Sequence, residues 1–182
     1  GPWDYRIGSV HSLWGGGVYL SVDRSPEDTA LAIREHFAGD PYAYAAAYFQ
    51  RVAAGAETVC CPIAGHFDLI AKFNEGGRFF DENHPRYLSS AQAALDALIS
   101  RDVIFEINTG AMARGYRTAP YPAPALLRFI RERGGRVCIT SDCHSAATIL
   151  HAFPQAAQLA RGCGFRETWV LTRQGFQAQA LL

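Results

Sequence analysis

The stretch Val103-Ile104-Phe105-Glu106-Ile107, then Pro122 to Arg133, then Arg136-Val137-Cys138-Ile139-Thr140, decides the fold class. The outer two segments are short, apolar and rich in β-formers, whereas the middle one carries apolar residues at helical spacing behind a proline. Strand, helix and strand in that order imply parallel pairing, because parallel neighbours need a crossover between them. Working outward, Tyr5 to Val10 alternates and predicts a strand ending at His11. Ser25-Pro26-Glu27-Asp28 carries a capping serine, a proline at the first helical position and an acid three residues after the cap, so a helix starts there. Asp40-Pro41 opens a second helix, which Gly55 is expected to close, and Glu57 to Ala64 is the next strand. A helix from about Ser90 to Ser100 follows a loop rich in Gly, Asn and Pro. Ser145 to Gly162 is helical with a break near Pro154, and Thr168 to Leu171 is a fifth and last strand. The reading is an α/β fold with no repeat or linker that would mark a domain boundary.

The chain has 182 residues, 49% hydrophobic and 19% charged, which is enough for one core and too little for two. Seventeen Lys and Arg balance seventeen Asp and Glu, so there is no electrostatic footprint for a phosphate backbone or an anionic membrane. No apolar stretch approaches the length of a membrane span. Sixteen of the basic residues are arginine and one, Lys72, is lysine, a skew that reflects coding composition more than guanidinium chemistry. The five cysteines are odd in number and show no C-x-x-C, which fits reduced thiols in a cytoplasmic protein better than a disulfide framework or a zinc ribbon.

Every predicted strand but the last ends on a polar residue: His11, then His66, then Asn108, then Asp142 with His144. In βα barrels the carboxyl ends of the strands form the face that carries chemistry, so residues far apart in sequence converge there. Three imidazoles and a carboxylate suit a divalent ion of borderline softness such as zinc, manganese or iron. In Asp142-Cys143-His144 an extended backbone puts the two ligands on one side and Cys143 on the other.

The segments Asp4-Tyr5-Arg6-Ile7-Gly8-Ser9-Val10-His11, Gly65-His66-Phe67-Asp68-Leu69-Ile70, Glu106-Ile107-Asn108-Thr109-Gly110, Tyr121-Pro122 and Ser141-Asp142-Cys143-His144 resemble the PHP (polymerase and histidinol phosphatase) family, in its histidinol-phosphatase branch. They stand in the family's order and span nearly the whole chain. The resemblance implies a distorted (β/α)7 barrel with a three-metal cluster that hydrolyses L-histidinol phosphate, a small phosphate monoester, in histidine biosynthesis. By the same resemblance His11 and His66 share one metal, Asp142 belongs to a second and His144 to a third, with Asp142 and His144 also catalytic. The family's opening H-x-H pair, a further histidine and the bridging glutamate all precede the strand that here starts at Tyr5. Residues 1–182 are therefore expected to form one PHP-type catalytic domain lacking its amino-terminal third, a partial barrel inactive by itself. A PHP-type phosphoesterase for another substrate and a degenerate, non-catalytic barrel stand as alternatives.

The loop after Asn108 carries Arg114 and Arg117, where a guanidinium would clamp phosphate bidentately, with Asn108 lining the site or capping the loop. Lys72 and Arg78 are weaker candidates for the same role. His36, His84 and His151 read as helix-end, surface or packing residues. Tyr42, Tyr44, Tyr48 and Phe49 read as a helix face covering the barrel, and Gly15-Gly16-Gly17 lacks the context of a dinucleotide loop.

Overall fold

The computed structural model describes residues 3–58 and 61–181. The chain runs β1 (Ile7–Gly8), β2 (Ser12–Gly15), β3 (Val18–Ser21), α1 (Pro26–His36), α2 (Pro41–Thr58), β4 (Ile63–Ala64), α3 (Pro85–Ile99) and β5 (Ile104–Asn108). There follow α4 (Gly110–Ala113), α5 (Pro124–Glu132), β6 (Arg136–Thr140), α6 (Phe153–Gly162), β7 (Glu167–Thr172) and β8 (Gly175–Ala180). A four-stranded sheet runs β1-β4-β5-β6, parallel throughout and in chain order. Its register aligns Ile7 with Ile63, Ile63 with Ile104 and Ile104 with Arg136, which brings the carboxyl ends of all four strands to one edge.

Local chemistry explains the helix starts. Ser25 Oγ accepts from the Asp28 amide at 3.1 Å with Pro26 behind the cap, as the sequence predicts. The helix expected from Ser90 begins five residues earlier, at Pro85, because His84 serves as its cap: its Nδ1 accepts from the Arg86 amide at 3.2 Å. The same imidazole stacks on Tyr42 at 4.0 Å, so His84 is structural. Gly55 does not close α2, which continues to Thr58 and shortens the expected Glu57 to Ala64 strand to Ile63–Ala64. Val59 and Cys60, within that prediction, lie outside the described residues. Of the segment expected to be helical from Ser145, a short 3-10 turn at Ala146–Thr148 and α6 are helical.

Two antiparallel hairpins are additions to the predicted scheme. β2 and β3 pair around Gly16 and Gly17, whose positive φ values of 60° and 82° suit the tight turn, so the glycines make a hairpin where a plain loop was expected. The predicted last strand exists as β7, but its ladder partner is β8, antiparallel, and it leans on β6 through a Thr168 Oγ1 bond to the Val137 carbonyl at 3.2 Å.

The core lies between the sheet and the helices α2, α3 and α5. Tyr44, Tyr48 and Phe49 of α2 are fully buried, with Phe49 against Phe67 at 5.3 Å and Tyr87 at 5.2 Å. The aromatic series is thus a packing face, and burial of such rings dominates core energetics. Among the described residues no helix is long and apolar enough to cross a membrane.

Candidate functional site

At the carboxyl edge of the sheet, β1 leads to His11, β4 to His66, β5 to Asn108, and β6 to Asp142 and His144. The His11 and His66 rings meet edge to face with centroids 4.9 Å apart. The charge of Asp142 acts on both imidazoles. His144 Nε2 stands 3.8 Å from Asp142 Oδ1 on a largely exposed side chain. Among the described residues no three His, Cys, Asp or Glu side chains stand close enough together to hold a metal ion, so the four expected ligands are neighbours here without forming a closed shell.

His66 and Asp142 both adopt positive φ, 25° and 44°, a region that side chains with a Cβ rarely occupy. Such conformations persist where the surroundings over-determine them. For His66 the surroundings centre on Glu106. This carboxylate sits in the middle of apolar β5, nearly fully buried, and Oε2 accepts from the His66 amide at 2.7 Å and from Asn108 Nδ2 at 2.8 Å. Thr140 Oγ1 donates to its other oxygen at 2.5 Å. Glu106 therefore ties the ends of β4, β5 and β6 together. Sequence reasoning quoted it within a motif and gave it no role, although a carboxylate inside Ile-Phe-Glu-Ile announces that buried donors must meet it.

Glu106 also explains Asn108. With Nδ2 donating to Glu106 and Oδ1 accepting from the Gly110 amide at 2.8 Å, Asn108 is a buried brace between β5 and the turn that follows it. Arg117 has a comparable fate. Its guanidinium donates to Glu82 and to the Ala71 carbonyl, both at 2.7 Å, and pairs in charge with Glu75 at 3.3 Å, with the side chain 10% exposed. The expectation of a phosphate clamp at Arg117 gives way to a structural ion-pair network. Arg114 differs: it bonds the Asp142 carbonyl at 3.0 Å and Oδ2 at 3.2 Å while a third of its side chain stays open.

Electrostatics separate the two central imidazoles. The hydrogen bond to Asp23 raises the His11 pKa, whereas burial lowers that of His66 and keeps it neutral, the form that ligates. His66 Nδ1 is buried without a hydrogen-bond partner. A neutral ring nitrogen held without a donor or acceptor beside a second imidazole and near a carboxylate is an arrangement that a divalent cation satisfies. His11, His66 and Asp142 supply the donor types such an ion takes, although they do not stand close enough together here to share one.

No protein-family model matches the chain. Two curated proteins named probable histidinol-phosphatase do: that of Schizosaccharomyces pombe is 31% identical over 142 residues, 78% of this chain and 44% of the relative. That of Deinococcus radiodurans is 30% identical over 164 residues, 90% of this chain and 56% of the relative. The chain spans about half the length of these relatives. Among solved structures, one from Listeria monocytogenes assigned as a histidinol phosphatase matches with a TM-score of 0.70 at 21% identity, over 82% of this chain and 56% of that one. The histidinol phosphate phosphatase of Lactococcus lactis, solved with zinc, L-histidinol and phosphate, matches with a TM-score of 0.69 at 21% identity, over 97% of this chain and 63% of that one. Over the part they share, the fold is that of these two histidinol phosphatases. With the curated relatives beside it, the chain is related to the histidinol-phosphatases in particular.

Proposed function

We propose that the protein is a metal-dependent phosphomonoesterase that hydrolyses L-histidinol phosphate to L-histidinol and phosphate, acting in the cytoplasm in histidine biosynthesis. The four-stranded parallel sheet is then part of a distorted (β/α)7 barrel whose carboxyl edge holds a three-metal cluster of zinc, manganese or iron. The observation that carries the reading is the His11–His66 pair, with a buried His66 nitrogen lacking a partner. The names of the relatives supply the substrate.

His11, His66, Asp142 and His144 would hold the ions, which supply an activated water at neutral pH and neutralise phosphoryl oxygens. The chain's own groups do the rest. Arg114, already at the Asp142 carboxylate, presents N–H donors in the fork that suits a phosphate. Asp142 or His144, in a step where it is not coordinating an ion, would give a proton to the leaving alkoxide. Glu106 fixes the strand ends so that these groups keep their spacing.

The test follows phosphate release by the full-length protein from L-histidinol phosphate and from other monoesters with zinc or manganese supplied, together with metal content. His66→Ala is expected to lose bound metal and turnover together. Faster hydrolysis of another monoester would move the substrate assignment, and a protein that retains no metal and releases no phosphate would be the degenerate, non-catalytic barrel.

A further inference from the structure

The hairpin β2–β3 brings Asp23 back beside the strand end it left. Val22 donates its amide to the His11 carbonyl at 3.0 Å, and Asp23 Oδ2 then stands 3.0 Å from His11 Nδ1. Its other oxygen accepts from Ser21 Oγ at 3.2 Å. Behind Asp23 lies Lys72, whose Nζ donates to the Asp23 carbonyl at 2.6 Å and stands 4.0 Å from Oδ2. The rings of Phe73 and Tyr116 flank that ammonium at 5.1 and 4.8 Å. The Lys72 side chain is 15% exposed, and it is the one lysine in a chain with sixteen arginines. A compact ammonium with rotatable donors meets a carbonyl and a carboxylate edge between two rings, where a planar guanidinium fork has a different shape.

We propose that Asp23 and Lys72 are positioning residues for His11: Asp23 holds the imidazole in the tautomer that leaves the Nε2 lone pair free, and Lys72 holds Asp23. An ionised carboxylate has only lone pairs to offer, so the proton in the 3.0 Å contact belongs to His11 Nδ1. A neutral ring with Nδ1 protonated keeps its acceptor at Nε2, which here receives the Ser9 hydroxyl at 3.1 Å. Ligating histidines commonly donate their second nitrogen to a carboxylate, which fixes ring orientation and raises ligand basicity. The relevance of this arrangement to metal rests on the proposed function; the tautomer assignment does not.

The experiment uses protein labelled with nitrogen-15 in histidine, metal-free and at a pH where His11 is neutral, with ring shifts reporting the tautomer and a chelator competition reporting zinc affinity. The wild type is expected to show Nδ1–H at His11. Asp23→Ala is expected to release that tautomer and to weaken zinc binding by roughly 10- to 100-fold. Asp23→Asn, which keeps an acceptor oxygen, is expected to restore the tautomer. Lys72→Met is expected to broaden or shift the His11 signals, and Lys72→Arg to restore them in part. Circular dichroism checks that each variant is folded. An Nε2–H wild type, or a His11 still locked as Nδ1–H in folded Asp23→Ala, overturns the proposal, and unchanged His11 signals in Lys72→Met remove Lys72 from it. Should the wild type bind no zinc, the metal reading fails while the ring shifts still decide the tautomer.

Discussion

Replacing Asp68 by Asn should change how stability depends on pH. Asp68 is fully buried two residues after His66, and its Oδ2 accepts the Ala123 amide at 2.9 Å, pinning this corner to the start of α5. Oδ1 has no partner. Burial, with the Glu82 charge adding to it, pushes the carboxyl up from its ordinary 3.8 to about 7. The folded state therefore holds this proton more tightly than the unfolded chain does. The stabilisation is complete below the unfolded value and is lost as pH rises towards 7. Each pKa unit corresponds to about 1.4 kcal/mol, so the full interval is worth about 4 kcal/mol. Asn keeps an oxygen for the Ala123 amide and does not titrate. Urea unfolding of both proteins at a series of pH values, taken as a difference, isolates this residue. The wild type should lose ground to Asp68→Asn between about pH 4 and 7, at up to about 1.4 kcal/mol per unit, and the difference should then level off. A flat difference, or one that favours the wild type as pH rises, would refute the assignment of a neutral buried acid.

The two loop arginines should separate cleanly. Arg114→Ala should lower kcat/KM for histidinol phosphate by the equivalent of about 2 to 4 kcal/mol with little loss of stability, measured by steady-state kinetics beside thermal unfolding. Arg117→Ala should instead destabilise by about 3 to 5 kcal/mol, because Glu82 would be left partly buried without its cation; denaturant unfolding checks this. Gly65→Ala places a Cβ 2.7 Å from Ile7 Cγ2 and 3.4 Å from Glu106 Oε2, so overpacking at the β1–β4 seam should cost about 1 to 3 kcal/mol in the same assay.

What the sequence discloses divides according to how far away the partner of each residue lies. β6 coincides with its prediction and α1 starts at its predicted cap, because Arg136 to Thr140 and Ser25-Pro26 carry their signals within a few residues. The β2–β3 hairpin is legible too: two central glycines between short runs of β-formers are a strong local turn signal, which the reading of the triplet as a plain loop passes over. β8 alternates through Gly175-Phe176-Gln177-Ala178, but its small and polar residues give little contrast between faces. Gly55 lies inside α2 because packing of that helix against α3 outweighs a helix penalty of about 1 kcal/mol. Of the site, the strand-end positions of His11, His66, Asp142 and His144 were legible from the α/β pattern. The opposite fates of Arg114 and Arg117 were not, since only two residues separate them and nothing local distinguishes them. Glu82, which claims Arg117, stands thirty-five residues upstream, and Asp142, which meets Arg114, twenty-eight downstream. Only the folded chain decides which guanidinium is neutralised inside the protein and which stays beside the imidazoles. The availability of a charge for catalysis is thus a property of its competitors, and here Glu82 and Glu75 around Arg117 leave Arg114 as the cation at the carboxyl edge of the sheet that has a third of its side chain open.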